Sequence, residues 1–89
     1  MNHKITVYGT TWCRDCARAK RILDALSVDY DWIDITHNVE ATQFVQKVAN
    51  GYKSVPTIVF PDGSCLIEPS DDELIECIQQ KVLSKNSTN

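Results

Sequence analysis

KITVYGTTWCRDCARAKRILDAL, residues 4–26, is the stretch that decides the fold. Its first five residues, Lys4 to Tyr8, alternate and are rich in β-branched side chains, which predicts a strand. Gly9-Thr10-Thr11-Trp12 reads as a loop. From Cys13 to Leu26 the pattern changes period: Ala19, Ile22, Leu23 and Leu26 recur at helical spacing with charged residues between them. Tyr30-Asp31-Trp32-Ile33-Asp34-Ile35 then predicts a second strand. A strand, a helix and a strand in this order make a right-handed βαβ unit with parallel strands.

Working outward, a second helix is expected over about 38–49, with Ala41, Phe44, Val45 and Val48 as its apolar stripe. Asn50-Gly51 supplies its C-terminal stop. Thr57-Ile58-Val59-Phe60 reads as a short buried strand and Pro61-Asp62-Gly63 as a turn. Ser64 to Ile67 returns as a fourth strand. Ser70-Asp71-Asp72-Glu73 is a capping box, opening a helix with Leu74, Ile75, Ile78 and Val82 on one face. The polar tail from Ser84 to Asn89 lacks a stripe and is expected to fray. The order βαβαββα predicts an α/β fold: a four-stranded mixed sheet with helices on both faces, forming one domain over residues 1–89.

Composition narrows the partners. Eighty-nine residues leave room for one small domain, and 43% apolar content suffices for one core. Nine basic residues against twelve acidic ones give a net charge of −3, which argues against nucleic acid as the main partner. No apolar run approaches the ~20 residues of a membrane helix, and Ile5 to Tyr8 is too short for a signal segment. A cytoplasmic protein is therefore expected.

Cysteine use points to chemistry. Of the four cysteines, Cys13 and Cys16 form a Cys-x-x-Cys, whereas Cys65 and Cys77 stand apart. In a reducing compartment that pattern favours redox work or metal over structural staples. The spacing places Cys13 at a helix start and Cys16 one turn in, on the same face. The unpaired N–H groups and partial positive charge of a helix N-terminus stabilise a thiolate, which is the nucleophilic form. Arg14 adds positive charge there, and Asp15 opposes it. A zinc site would need a second ligand pair. Cys65 and Cys77 are twelve apart and His3 and His37 thirty-four apart, so neither makes one. Two cysteines used only as small core residues remain the bland alternative.

These residues resemble the thioredoxin superfamily and, within it, the glutaredoxins, over about residues 4–80. Cys13-Arg14-Asp15-Cys16-Ala17-Arg18-Ala19-Lys20 is similar to the family's Cys-Pro-Tyr-Cys followed by x-Arg-Ala-Lys. Ser54-Val55-Pro56-Thr57 is similar to its Thr-Val-Pro loop. Asp62-Gly63-Ser64 and Pro69-Ser70-Asp71-Asp72 fall where the family has its hairpin turn and its glutathione-anchoring helix start. The likeness is strongest to the actinobacterial mycoredoxins and similar short glutaredoxin-like proteins. Three departures stand out. Arg14 replaces the usual Pro, Glu68-Pro69 replaces a usual Gly-Gly, and Cys16 excludes the monothiol Cys-Gly-Phe-Ser class.

The resemblance implies a glutaredoxin-type thiol–disulfide oxidoreductase with Cys13 and Cys16 as catalytic pair. It implies a cis bond before Pro56, with the Val55 backbone facing Cys13. It makes Lys53 a candidate for a thiol's carboxylate and Trp12 a surface platform beside the sulfur. Arg14, Ser70 and Asp71 complete the candidate binding residues, although Ser70 and Asp71 also serve as capping residues and Lys53 as a plain loop lysine. Trp32, Tyr8, Cys65 and Cys77 read as packing, and His37 as a loop or cap residue. No metal or bound cofactor is expected. Glutathione or another low-molecular-weight thiol would be co-substrate and oxidised proteins the substrates of a monomeric enzyme, without nucleic-acid or membrane partners. Two alternatives stay open: a thioredoxin-like protein-disulfide reductase fed by a flavoprotein reductase, or a non-catalytic or cluster-binding thioredoxin-fold module.

Overall fold

β1 (Ile5–Gly9) runs through the interior of the sheet, paired to a strand along each edge, and both of its faces are covered. Its odd-numbered residues Ile5, Val7 and Gly9 are buried, and Thr6 and Tyr8 are half-buried. The computed structural model describes residues 4–83. His3 and the tail expected to fray from Ser84 lie outside them. β1 leads to α1 (Arg14–Ala25), which returns the chain to β2 (Tyr30–Asp34). α2 (Val39–Val48), β3 (Thr57–Val59), β4 (Cys65–Ile67) and α3 (Asp71–Ile78) follow. A π-helical turn, Gln79–Leu83, continues from α3.

The sheet has four strands in the order β2-β1-β3-β4. β1 and β2 are parallel, in the register Val7 opposite Trp32 and Gly9 opposite Asp34. β3 is antiparallel to β1, with Tyr8 opposite Thr57, and β4 is antiparallel to β3. The mixed sheet and the element order agree with the sequence expectation. Each strand boundary falls within one residue of it.

Two apolar clusters hold the layers together. One joins Ile5, Val7, Ile58 and Phe60 of the sheet side to Ala19 and Leu23 of α1 and Leu74 and Ile78 of α3. The other joins Ile35, Ala41 and Val45, with Tyr8, Phe44 and Val55 packed against it. α1 and α3 therefore cover one face and α2 the other. Tyr8 is half-buried rather than enclosed, its ring 5.0 Å from that of Phe44.

Local chemistry sets the ends of the elements. Asn38 caps α2, its side chain accepting from the Ala41 N–H at 2.9 Å. Asn50 and Gly51 leave the helix with φ of 57° and 93°, a region Asn and Gly enter most readily. The Ser70–Glu73 capping box is complete in both directions. Asp62 accepts from the Ser64 N–H and hydroxyl to close the hairpin turn, and Lys81 reaches the same carboxylate at 2.9 Å. One expectation needs correction. The stripe Leu74, Ile75, Ile78, Val82 does not run along one regular α-helix, because the backbone widens into the π turn after Ile78. Val82 still packs against the core, so the wider turn keeps that side chain on the covered side.

Leu23 is fully buried where α1 meets the sheet. Leu23→Ala should cost about 2–5 kcal/mol, the range for removing a buried Leu side chain. Denaturant unfolding would read this as a lower midpoint with an unchanged slope.

Candidate active site

The loop after β1 ends on a sulfur that caps a helix. Cys13 has extended backbone, φ −82° and ψ 117°, and its Sγ accepts the Cys16 N–H at 3.1 Å. Cysteine thus fills the N-cap position that Ser, Asp or Asn usually fills. The Cys13 sulfur is half-buried and sits where α1 concentrates its unpaired amides. It also approaches the Val55 carbonyl oxygen, 3.8 Å away. The Val55–Pro56 peptide is cis.

Cys16, one turn in, is fully buried. Burial is the main reason its thiol is pushed up from 9.0 to about 12; the hydrogen bond with Cys13 and the negative charges of Cys13 and Asp15 add to it, while the Thr10 backbone works the other way. The two sulfurs are therefore unlike. The outer one meets a helix terminus and is open to a reactant, and the inner one is held as a thiol.

A cleft of about 340 Å³ opens beside Cys13, lined by Trp12, Val55 and Lys53 together with Thr10, Ile35 and Thr42. A second, larger cleft shares Thr36, Thr42 and Lys53 with it and continues along the start of α2 past His37, Asn38 and Gln46. Trp12, Val55 and Lys53, singled out in the sequence, thus line one cleft, which reaches Cys13 through the neighbouring Trp12 and the Val55 carbonyl. Trp12 stands 71% exposed. Pro56 is buried beneath the loop. Arg14 is exposed on the first residue of α1 and lines neither cleft.

Ser70 and Asp71 lie at the start of α3, with their polar groups engaged inside the protein. Ser70 belongs to the capping box, and Asp71 accepts from Arg18 Nε at 3.0 Å. Arg18 also pairs with Asp15, so one guanidinium joins the active-site helix to α3. Sequence reasoning gave Arg18 little weight. Its (i, i+3) spacing from Asp15 and its place in the Arg-Ala-Lys stretch were the local signals, and the link to Asp71 is tertiary. The cleft threonines were missed as well. Thr10 was the findable one, lying in the loop before the cysteines. Its Oγ1 is buried without a hydrogen-bond partner. His37 is an exposed loop residue at the second cleft, and Asn38 is the cap. Cys65 and Cys77 are half-buried, Cys77 against the main core. Among the described residues no helix is long and apolar enough to cross a membrane.

Comparison with known proteins agrees with this geometry. The profile of the Glutaredoxin family matches residues 5–66. The chain is 47% identical over 70 residues to a protein of Mycobacterium tuberculosis provisionally named a glutaredoxin, covering 79% of this chain and 83% of that one. It is 35% identical over 75 residues to mycoredoxin 1 of Corynebacterium glutamicum, covering 84% and 92%. The crystal structure of a glutaredoxin from Archaeoglobus fulgidus superposes with a TM-score of 0.69 at 27% identity, covering 86% of this chain and 87% of that one. A sulfur-capped helix facing a Val-Pro loop is here carried by a sequence that matches the family profile over most of its length, and the chain belongs to the glutaredoxin family of thioredoxin-fold redox proteins.

Proposed function

We propose that the chain is a dithiol oxidoreductase that reduces mixed disulfides between proteins and a low-molecular-weight thiol. The observation that carries this reading is the inequality of the two sulfurs: Cys13 at the mouth, accepting an amide N–H, and Cys16 buried and protonated one turn behind it. The Cys13 thiolate attacks the sulfur of the small thiol in the mixed disulfide. The protein leaves as a thiol and the small thiol stays on Cys13. A second molecule of the small thiol then displaces it, giving that thiol's own disulfide and restoring Cys13. On protein disulfides Cys16 resolves the intermediate instead, because a bound protein shields the outer sulfur and only an internal thiol reaches Cys13.

Glutathione or another low-molecular-weight thiol serves as co-substrate, with no bound cofactor. Lys53 supports this, as the cation common to both clefts, because a carboxylate on the thiol gains a charge-assisted hydrogen bond there. A Cys-x-x-Cys that turns over as a reductant needs a reducing compartment, and this reading takes the cytoplasm as that compartment. The test is a panel of electron donors. A mixed-disulfide substrate is offered with glutathione, mycothiol or a flavoprotein thioredoxin reductase as sole source. Turnover with a small thiol supports the reading; turnover with the reductase alone points to a thioredoxin-like protein-disulfide reductase.

Cys13→Ser should abolish turnover on every disulfide, and iodoacetamide should label half-buried Cys13 before fully buried Cys16. Preferential labelling of Cys16 would reverse the assignment. Cys16→Ser should keep the small-thiol reaction and lose protein-disulfide reduction. Lys53→Ala should weaken the small-thiol reaction by about 1–2 kcal/mol in kcat/KM and leave protein disulfides unaffected.

Stability should depend on pH through Cys16. The folded state holds this proton more tightly than the unfolded chain, since the thiol rises from 9.0 to about 12 on folding. Its contribution is fully present below pH 9 and is lost as pH rises toward about 12. Denaturant midpoints measured at neutral pH and in this alkaline window should fall less steeply in Cys16→Ala than in the parent chain.

A further inference from the structure

The space behind Cys16 is shared by two groups because Gly9 has no side chain. A Cβ on Gly9 would lie 2.5 Å from Cys16 Sγ and 2.7 and 2.9 Å from Cη2 and Cζ3 of Trp32. The buried sulfur and the benzo edge of the indole therefore lie within about 5 Å of each other, the usual reach of a sulfur–aromatic contact. Trp32 stands on β2 opposite Val7, next but one along the register from Gly9. Lys20 Nζ lies 3.9 Å from the centroid of the same ring, where an ammonium is attracted by the ring's negative face. Lys20 follows Cys16 by four residues on α1, so the two belong to one helix face. α1 thus grips the indole at two points, with a sulfur at its edge and a cation over its face.

The geometry points to Trp32 as a positioning residue for the resolving thiol, closing the back of the Cys16 pocket and leaving the sulfur one open direction, toward Cys13. Gly9 makes the room and Lys20 pins the ring. This rests on the reading of Cys16 as the resolving cysteine. In the step concerned, Cys13 carries a bound thiol R as Cys13–S–S–R. Cys16 sulfur attacks Cys13 sulfur, the Cys13–Cys16 bond forms and the bond to R breaks. The electron pair leaves on the R sulfur, which takes up the proton that Cys16 gives up, so Cys13–S–S–R plus the Cys16 thiol becomes the Cys13–Cys16 disulfide plus R–SH. No outside oxidant is involved. A thiol free to rotate away from Cys13, or open to water from behind, would make this attack less often; the indole blocks both.

The test separates the two half-steps. Less than one equivalent of a chromogenic aromatic disulfide releases one aromatic thiol when Cys13 attacks and a second when Cys16 closes the ring. Trp32→Leu should leave the first release within about twofold of the parent and slow the second by about tenfold or more, toward the roughly hundredfold loss that a 1 Å misplacement of a reacting group can cause. Trp32→Phe, which keeps an aromatic edge, should recover most of the second rate, and Lys20→Gln should fall between. If the parent chain shows no second release, the resolving role of Cys16 fails, whatever Trp32 does. If the second release is present but unchanged in Trp32→Leu, or both releases slow alike, the positioning role fails. Should Trp32→Leu not fold, the Phe and Lys20 variants still decide by the same two rates. A Trp12→Phe chain adds a direct reading: Trp32 is then the only indole, and its emission should change when the Cys13–Cys16 disulfide forms. Unchanged emission would remove the contact on which the inference stands.

Discussion

The hydrogen bond from the Cys16 amide to the Cys13 sulfur is the interaction on which the rest of the site depends. An N-cap contributes to helix stability by satisfying an amide that has no partner within the helix. In the proposed mechanism the cap atom is also the reacting atom, so the bond that starts α1 would also hold the nucleophile in place. The arrangement costs little in the folded chain because Cys13 needs only extended backbone to make it. It also fixes the second cysteine. The amide that donates belongs to Cys16, so the residue that holds the cap is the one whose side chain lies one turn behind the mouth.

Strand order brings the remaining groups to that sulfur. β1 and β2 run parallel and end together, Gly9 opposite Asp34, so Ile35 and Thr36 leave the sheet at the same edge as the Thr10–Cys13 loop. β3 runs antiparallel and begins there, Thr57 opposite Tyr8, which sets Val55 and Pro56 beside Cys13. Three connections therefore converge at the carboxyl end of the parallel pair, where open α/β sheets form their crevices. The clefts are the gap between these connections and α2, and their walls follow from the topology: apolar from Trp12, Ile35 and Val55, polar from threonines and Lys53.

Much of this was legible in the sequence because it is local. The alternation of residues 4–8, the stripe Ala19, Ile22, Leu23, Leu26, the Asn50-Gly51 stop and the Ser70–Glu73 capping box each occupy a few neighbouring residues and have one physical reading. What the sequence concealed is tertiary. Arg18 reads as a surface charge until Asp71 is brought to it by the packing of α3 against α1. Trp32 reads as strand packing because its partner site is a missing side chain at Gly9, which leaves no pattern to detect. The π turn after Ile78 was hidden for a related reason. Helical periodicity cannot show one extra residue in a turn when Lys81 is drawn to Asp62 on the far hairpin.

Electrostatics make the two sides of the mouth different. On the α3 side, Asp71, Asp72 and Glu73 crowd the first turn, where negative side chains offset the helix dipole. The Ser70 amide and hydroxyl are committed to the capping box, and Arg18 is held between Asp15 and Asp71. The side chains on this side of the mouth are thus mainly acidic. On the α2 side the clefts share Lys53, and the buried Thr10 hydroxyl lacks a partner. Under the proposed function, Lys53 is the cation that an acidic group on a small thiol would meet in these clefts.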